Sequence, residues 1–216
     1  MKEEEKRATL DRYNERLKEY GYNPKTLGWL KGKQEIRFQV LSEIGDLHNC
    51  SILDVGCGFG DLYGFLVNKG IKIRYTGVDI NPHLLEIGKE LYPSASFKVM
   101  DFDEEVLEKK IDWVFASGIF NFKLEDNESF IKNMLSKMFN ISKKGVAVDF
   151  MSSYVDFQNE DAYHTKPEQI FSYCKQLSRR ITLRHDYMPF EFCVYIYKND
   201  QFNELTLFND YVLEKL

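Results

Sequence analysis

The chain has 216 residues, 44% hydrophobic and 29% charged, a balance that can fill a sizeable core and carries no signature of disorder. Its net charge of −5 repels phosphate backbones, and its basic runs (Lys109-Lys110, Lys143-Lys144, Arg179-Arg180) are short, so no nucleic-acid partner is expected. No apolar run approaches the length of a membrane span, Met1–Arg7 lacks the apolar stretch of a secretory signal, and the four cysteines form no C-x-x-C pair; a reducing, cytoplasmic setting without a membrane partner is the expectation.

The first 49 residues read as a helical cap. Leu10, Tyr13, Leu17 and Tyr20 recur at helical spacing and Gly21 stops the run; Ile36, Val40, Ile44 and Leu47 mark a second helix. Between them, 22–33 reads as a loop with Pro24, Gly28, Trp29 and Gly32. From residue 50 strands and helices alternate: strands at 51–55, 71–80, 96–100, 111–116 and 146–151, and helices at 60–69, after Asn81-Pro82, and on the apolar face of Phe130, Met134 and Met138. Thr165-x-x-Glu168 has the form of a capping box opening a helix through Leu177. Runs at 180–187 and 192–198 are close enough to pair antiparallel, and 205–213 reads as a short closing helix. This order predicts an α/β fold in which residues 50–216 form an open, mostly parallel sheet with helices on both faces, with the ligand crevice beyond the carboxyl ends of its strands.

The loop after the first strand, Leu53-Asp54-Val55-Gly56-Cys57-Gly58-Phe59-Gly60-Asp61, has glycines where a strand turns into a helix and a ligand can approach backbone. The second strand ends in Asp79, placed to accept from ribose hydroxyls. A dinucleotide fingerprint requires a small last residue; Asp61 stands there, bulky and negative where a pyrophosphate would lie. A cofactor without phosphates suits the loop better.

With Thr76-Gly77-Val78-Asp79-Ile80, Met100-Asp101-Phe102 and Asp112-Trp113-Val114-Phe115-Ala116-Ser117-Gly118 following in register, the chain resembles the class I S-adenosylmethionine-dependent methyltransferases over residues 50–198. The resemblance implies a seven-stranded sheet with its last strand inserted antiparallel, and S-adenosylmethionine as cofactor. It further implies that Gly56, Cys57 and Gly58 pass beside the methionine portion, with Asp54 fixing that loop or reaching the amino group. Asp79 would hold the ribose, Ile80 would flank the adenine, and Asp101 and the Phe102 backbone would read its edge. Ser117 would lie beneath the methionine portion.

In such a fold the acceptor pocket comes from the loops after strands four to six and from the segment before strand one. Those loops supply Asn121, Tyr154, Tyr163 and Tyr187 as substrate-binding candidates, Phe157 as a further aromatic wall, and His164 and His185 as candidate bases, since imidazole titrates near neutrality. Tyr13, Tyr20 and Trp29 would close the crevice, and Arg37 would pair with the cofactor carboxylate. Cys57 reads as a small filler, His48 and His83 as surface residues, and Asp149 as structural. No Asn/Asp-Pro-Pro-Tyr motif follows strand four, no Pro-Cys dipeptide occurs, and no carboxylate cluster for a metal is assembled. The expected activity is methyl transfer to O or N of a small polar metabolite, such as a sugar or a biosynthetic intermediate. The rival readings are a SAM-binding sensor or partner subunit without catalysis and, behind it, an NAD-dependent oxidoreductase.

Overall fold

A computed structural model describes residues 1–29, 34–105, 107–158 and 160–199; the helix expected at 205–213 lies outside the described residues. The elements run α1 (Glu3–Tyr20), α2 (Gln34–Ser42), β1 (Cys50–Val55), α3 (Asp61–Asn68), β2 (Ile73–Asp79), α4 (Pro82–Leu91) and β3 (Ser96–Val99). Then follow β4 (Ile111–Ala116), α5 (Asn127–Ile141), β5 (Ser142–Met151), α6 (Pro167–Leu177), β6 (Ile181–Met188) and β7 (Glu191–Tyr197). The strands form one seven-stranded sheet in the order β3-β2-β1-β4-β5-β7-β6. β7 lies antiparallel between β5 and β6, and the pairs on the other side of β5 are parallel. Strand order reverses at β1, so the crevice opens beyond β1, β2 and β4.

Two-residue alternation splits the strands between two cores. Leu53, Val55, Val114, Val148, Phe192 and Val194 pack with Ile131, Met134, Leu135 and Met138 of α5 on one face. Ile52, Trp113, Phe115, Ala147, Cys193 and Tyr195 pack with Phe38 and Leu41 of α2 and Leu62 and Leu66 of α3 on the other. Ile44 and Leu47, read as part of the second helix, are buried beyond its end at Ser42. β5 begins four residues earlier than its hydrophobic run, because Ser142 and the paired Gly145 continue the ladder with β4 and β7.

Local chemistry sets several ends. Asn81 caps α4, its side chain accepting from the His83 and Leu84 amides, with Pro82 at the first helical position. The expected capping box at Thr165 does not form. Lys166 is the N-cap residue, Pro167 opens α6, and Thr165 instead uses its backbone to bridge to Ser152, leaving its buried hydroxyl without a hydrogen-bond partner among the described residues. Among the described residues, no helix is long and apolar enough to cross a membrane.

α4 lies against the glycine loop through Gly88, where a Cβ would stand 2.6 Å from the Phe59 carbonyl oxygen. Backbone cannot step aside as a side-chain tip does. Gly88→Ala therefore gains up to ~1 kcal/mol of helix propensity but incurs ~1–3 kcal/mol of overpacking. A net loss of stability is expected in urea denaturation; an unchanged midpoint would show that the helix and loop are not in firm contact.

Candidate active site

The turn after β1 is tied to the end of β2. The Gly56 and Cys57 amides both donate to the Val78 carbonyl, at 2.8 and 3.1 Å, and the Gly58 amide donates to Asp79 Oδ2 at 2.9 Å. Gly56, Gly58 and Gly60 take φ of +71°, +55° and +82°, a region that L side chains rarely enter. A Cβ at Gly58 would strike Leu27 Cδ2 at 2.9 Å, and one at Gly56 would overlap Ile119. The backbone of this turn is thus the floor of a cavity whose roof rests directly on it.

That cavity contains most of the expected cofactor set. Asp54, Gly56, Cys57, Gly58, Asp79, Ile80, Asp101, Phe102 and Ser117 all line it. The roof comes from the cap: Thr9 and Tyr13 of α1, then Leu27 and Trp29. Tyr13 meets Phe122 edge-on with ring centroids 5.7 Å apart. Tyr20, offered as another closing residue, is exposed. α1 buries no residue fully and is held by side-chain contacts, among them Lys6 to Asp101 at 2.7 Å and the amide of Asn81 to Asn14 at 2.9 Å.

Two carboxylates in the floor, buried Asp54 and half-buried Asp79, have no ion-pair partner among the described residues. Asp54 takes the Tyr75 hydroxyl at 2.6 Å, and burial pushes its pKa up to about 7, against the pull of that hydrogen bond. Asp79 also accepts from the Asn81 amide, and burial raises its pKa despite its backbone donors. Cys57 is buried, its sulfur lies against Gly77, and desolvation keeps it a thiol, which matches a filler. Asp61 turns away from the cavity to accept from Tyr22 and Tyr92, at 2.8 and 3.3 Å; its charge therefore does not face the space where a pyrophosphate would lie.

Neither the expected acceptor residues nor Arg37, expected to pair with the cofactor carboxylate, line this cavity. Arg37 is buried against Glu191 at the start of β7, a partner 154 residues away that no local pattern announces. His164 Nδ1 faces the Ser152 carbonyl at 2.9 Å. His185 sits edge-on to Phe192 with its Nε2 buried and, among the described residues, without a hydrogen-bond partner. A bulge between Arg184 and Met188 turns Tyr187 to the opposite core, where its hydroxyl also lacks a partner among the described residues. Asn121 pairs through its backbone with Tyr163, which lies over a groove between α5 and α6. Tyr154 and Phe157 are 62% and 80% exposed. The sequence reading missed Gln34, Phe38, Asp103, Leu124, Phe130 and Met134, which do line the cavity; Phe130 and Met134 were legible only as one apolar face of a helix. His48 and His83 are exposed as expected, and Asp149 accepts from Ser117 Oγ at 2.5 Å and the Gly118 amide at 2.7 Å.

Residues 52–145 match the family described as methyltransferase domain. A putative methyltransferase of Mycobacterium tuberculosis is 31% identical over 156 residues, covering 68% of this chain and 93% of its own. The magnesium protoporphyrin IX methyltransferase of Synechocystis, solved with bound S-adenosylhomocysteine (SAH), superposes with a TM-score of 0.62 at 16% identity, over 88% of this chain and 94% of that one. A TehB-like SAM-dependent methyltransferase of Corynebacterium glutamicum superposes at 0.61, with 16% identity, over 88% and 97%. Sheet order, glycine turn and relatives agree: the chain belongs to the class I S-adenosylmethionine-dependent methyltransferases, and S-adenosylmethionine is its cofactor.

Proposed function

We propose that the chain methylates O or N of a small molecule, with the acceptor entering the part of the cavity beside Ser117 and Gly118. The observation that carries this reading is the roof. Tyr13, Leu27 and Trp29 reach over the glycine turn, leaving a partly covered cleft with Phe38, Ile119 and Phe122 in its walls, narrower than a groove for a macromolecule would be. The Synechocystis relative, named for a porphyrin, supports an acceptor of molecular rather than polymeric size. The walls are more apolar than a sugar would favour, so a partly apolar metabolite fits better than the polar one expected from sequence. Four free, buried cysteines suit a reducing compartment, and we place the activity in the cytoplasm.

The residues present suit the cofactor. Its portions need hydroxyl and ammonium acceptors and close backbone approach, and Asp79, Asp54 and the Gly56–Gly58 backbone offer these. Asp79 would hold the ribose hydroxyls, Asp54 the amino group, and Asp101 the adenine edge beside Ile80 and Phe102. When bound, S-adenosylmethionine supplies an electrophilic methyl group on a sulfonium. The chain's own work is then to align the acceptor lone pair and exclude water. With His164 and His185 outside the cavity, no imidazole is in place to take a proton, which favours a nucleophile that is already neutral or acidic enough to lose its own proton.

Asp54 gives this reading a pH signature. Its free-protein pKa of about 7 means the carboxyl is protonated below neutrality, and a cationic amino group favours the ionised form. SAH affinity should rise with pH up to about 7 and then level off, and Asp54→Asn should flatten the profile. Calorimetric titrations at several pH values check both, and an unchanged profile in the variant would remove Asp54 from the amino group. The reaction itself is tested by incubating the protein with methyl-labelled SAM and a cell extract split by size. Label is expected in the low-molecular-weight fraction; label confined to protein or RNA would contradict the proposal.

A further inference from the structure

Arg37 is only 6% exposed and Glu191 4% exposed, and their bidentate pair joins α2 to the start of β7. Nε donates to Oε2 at 2.7 Å, and Nη2 donates to Oε1. A buried pair of this kind adds little net stability, because desolvation offsets attraction, so its value lies in what it holds in place. The guanidinium carbon stands 4.0 Å from the ring centroid of Trp29. A planar, weakly hydrated cation stacks on an indole in a way that a lysine ammonium does not. The indole in turn lies over Gly118, where φ is +74° and a Cβ would stand 2.6 Å from Trp29 Cη2. Gly118 is itself held from behind by Asp149 of β5.

These contacts form one continuous brace from β7 through α2 and Trp29 to the end of β4. By strand order, β4 and the β3 end with Asp101 lie on opposite sides of β1. Trp29 therefore stands at the far end of the cavity from Asp101, together with Ser117, Gln34 and Phe38. We propose that the Arg37–Glu191 pair positions Trp29, and that the indole held over Gly118 is the wall against which the transferred methyl group and the acceptor lie. One ring face is taken by Arg37 and one edge by Gly118; the indole surface that lines the cavity is mainly carbon, suited to the carbon skeleton of an acceptor and not to a phosphate or carboxylate. The proposal rests on the methyltransferase reading, and it assigns Arg37 a role different from the cofactor carboxylate partner inferred from sequence.

The test needs no acceptor. Trp113, the only other tryptophan, is buried in the second core with its indole N–H donating to the Asp46 carbonyl, so ligand-dependent changes in emission report Trp29. At saturation fixed by calorimetry, SAM and SAH should change the emission differently, because only one carries the sulfonium charge beside the ring, and Trp29→Phe should abolish the difference. An identical response to both ligands, or none, would overturn the placement of Trp29. Glu191→Gln should red-shift the unliganded emission and at least double acrylamide quenching, while SAH affinity stays within threefold. Unchanged emission and quenching would overturn the positioning role. A tenfold loss of SAH affinity would overturn it too, and would return Arg37 to the cofactor. Should Glu191→Gln fail to fold, Arg37→Lys carries the same expectations, since it keeps the charge and loses the stack. Absence of binding by both ligands in the wild type would count against the cofactor reading itself, and the unliganded emission of the variants would still decide the positioning role.

Discussion

The site depends on how the turn after β1 is fastened. Two consecutive amides, Gly56 and Cys57, donate to the same Val78 carbonyl, and the next residue's amide donates to the Asp79 carboxylate. Positive φ at Gly56 and Gly58 is what lets three amides in a row face the end of the neighbouring strand. The fastening brings the backbone of one strand end within reach of the carboxylate of another. It also leaves no Cβ between that backbone and whatever lies above it. Cys57 completes the turn by filling the space beside Gly77, which has no side chain of its own. Asp54 ends up buried and Asp79 half-buried close to this turn, with no cationic partner among the described residues. The desolvation they incur is the cost of a floor ready to receive a cationic, hydroxyl-bearing ligand.

The roof is built differently from the floor. α1 has eighteen residues and none fully buried, so burial of an apolar stripe does not hold it down. Its contacts are individual: Lys6 with Asp101, Asn14 with Asn81, Glu5 with the Glu125 amide, Arg12 over the Phe122 ring. Partly exposed ion pairs of this type each contribute on the order of 0–1 kcal/mol. The segment with Leu27 and Trp29 is fixed more firmly, because Trp29 is clamped between Gly118 and a buried ion pair. Floor and roof therefore differ in strength along the cavity, weak over the Asp101 end and strong over the Gly118 end.

The floor was legible in the sequence because its chemistry is written in backbone requirements. A glycine-rich turn after a short apolar strand, followed by an acidic residue at the end of the next strand, leaves few alternatives, and Gly56, Gly58 and Asp79 stand where those patterns put them. The acceptor side was not legible, since it depends on which way loop side chains turn. His185 and Tyr187 are two apart on a strand, yet the β6 bulge sends them to opposite faces. Arg37 could not be matched to Glu191 without knowing that β7 inserts between β5 and β6. Thr165 had a capping-box pattern but was drawn into a bridge with Ser152, a tertiary contact that outweighs a local signal. Phe130 and Met134 read correctly as an apolar helix face, but nothing in the period of that face shows that its end reaches a cavity.

Calorimetric titration of SAH into the wild-type protein and Asp79→Ala tests most directly whether the fastened turn and its two carboxylates bind the cofactor. Binding in the wild type, weakened in the variant by ~1.5–3 kcal/mol as expected for hydrogen bonds to a charged group, is the predicted result. Equal affinity in the two proteins would contradict it, because the ligand would then be held without the carboxylate on which the floor is organised.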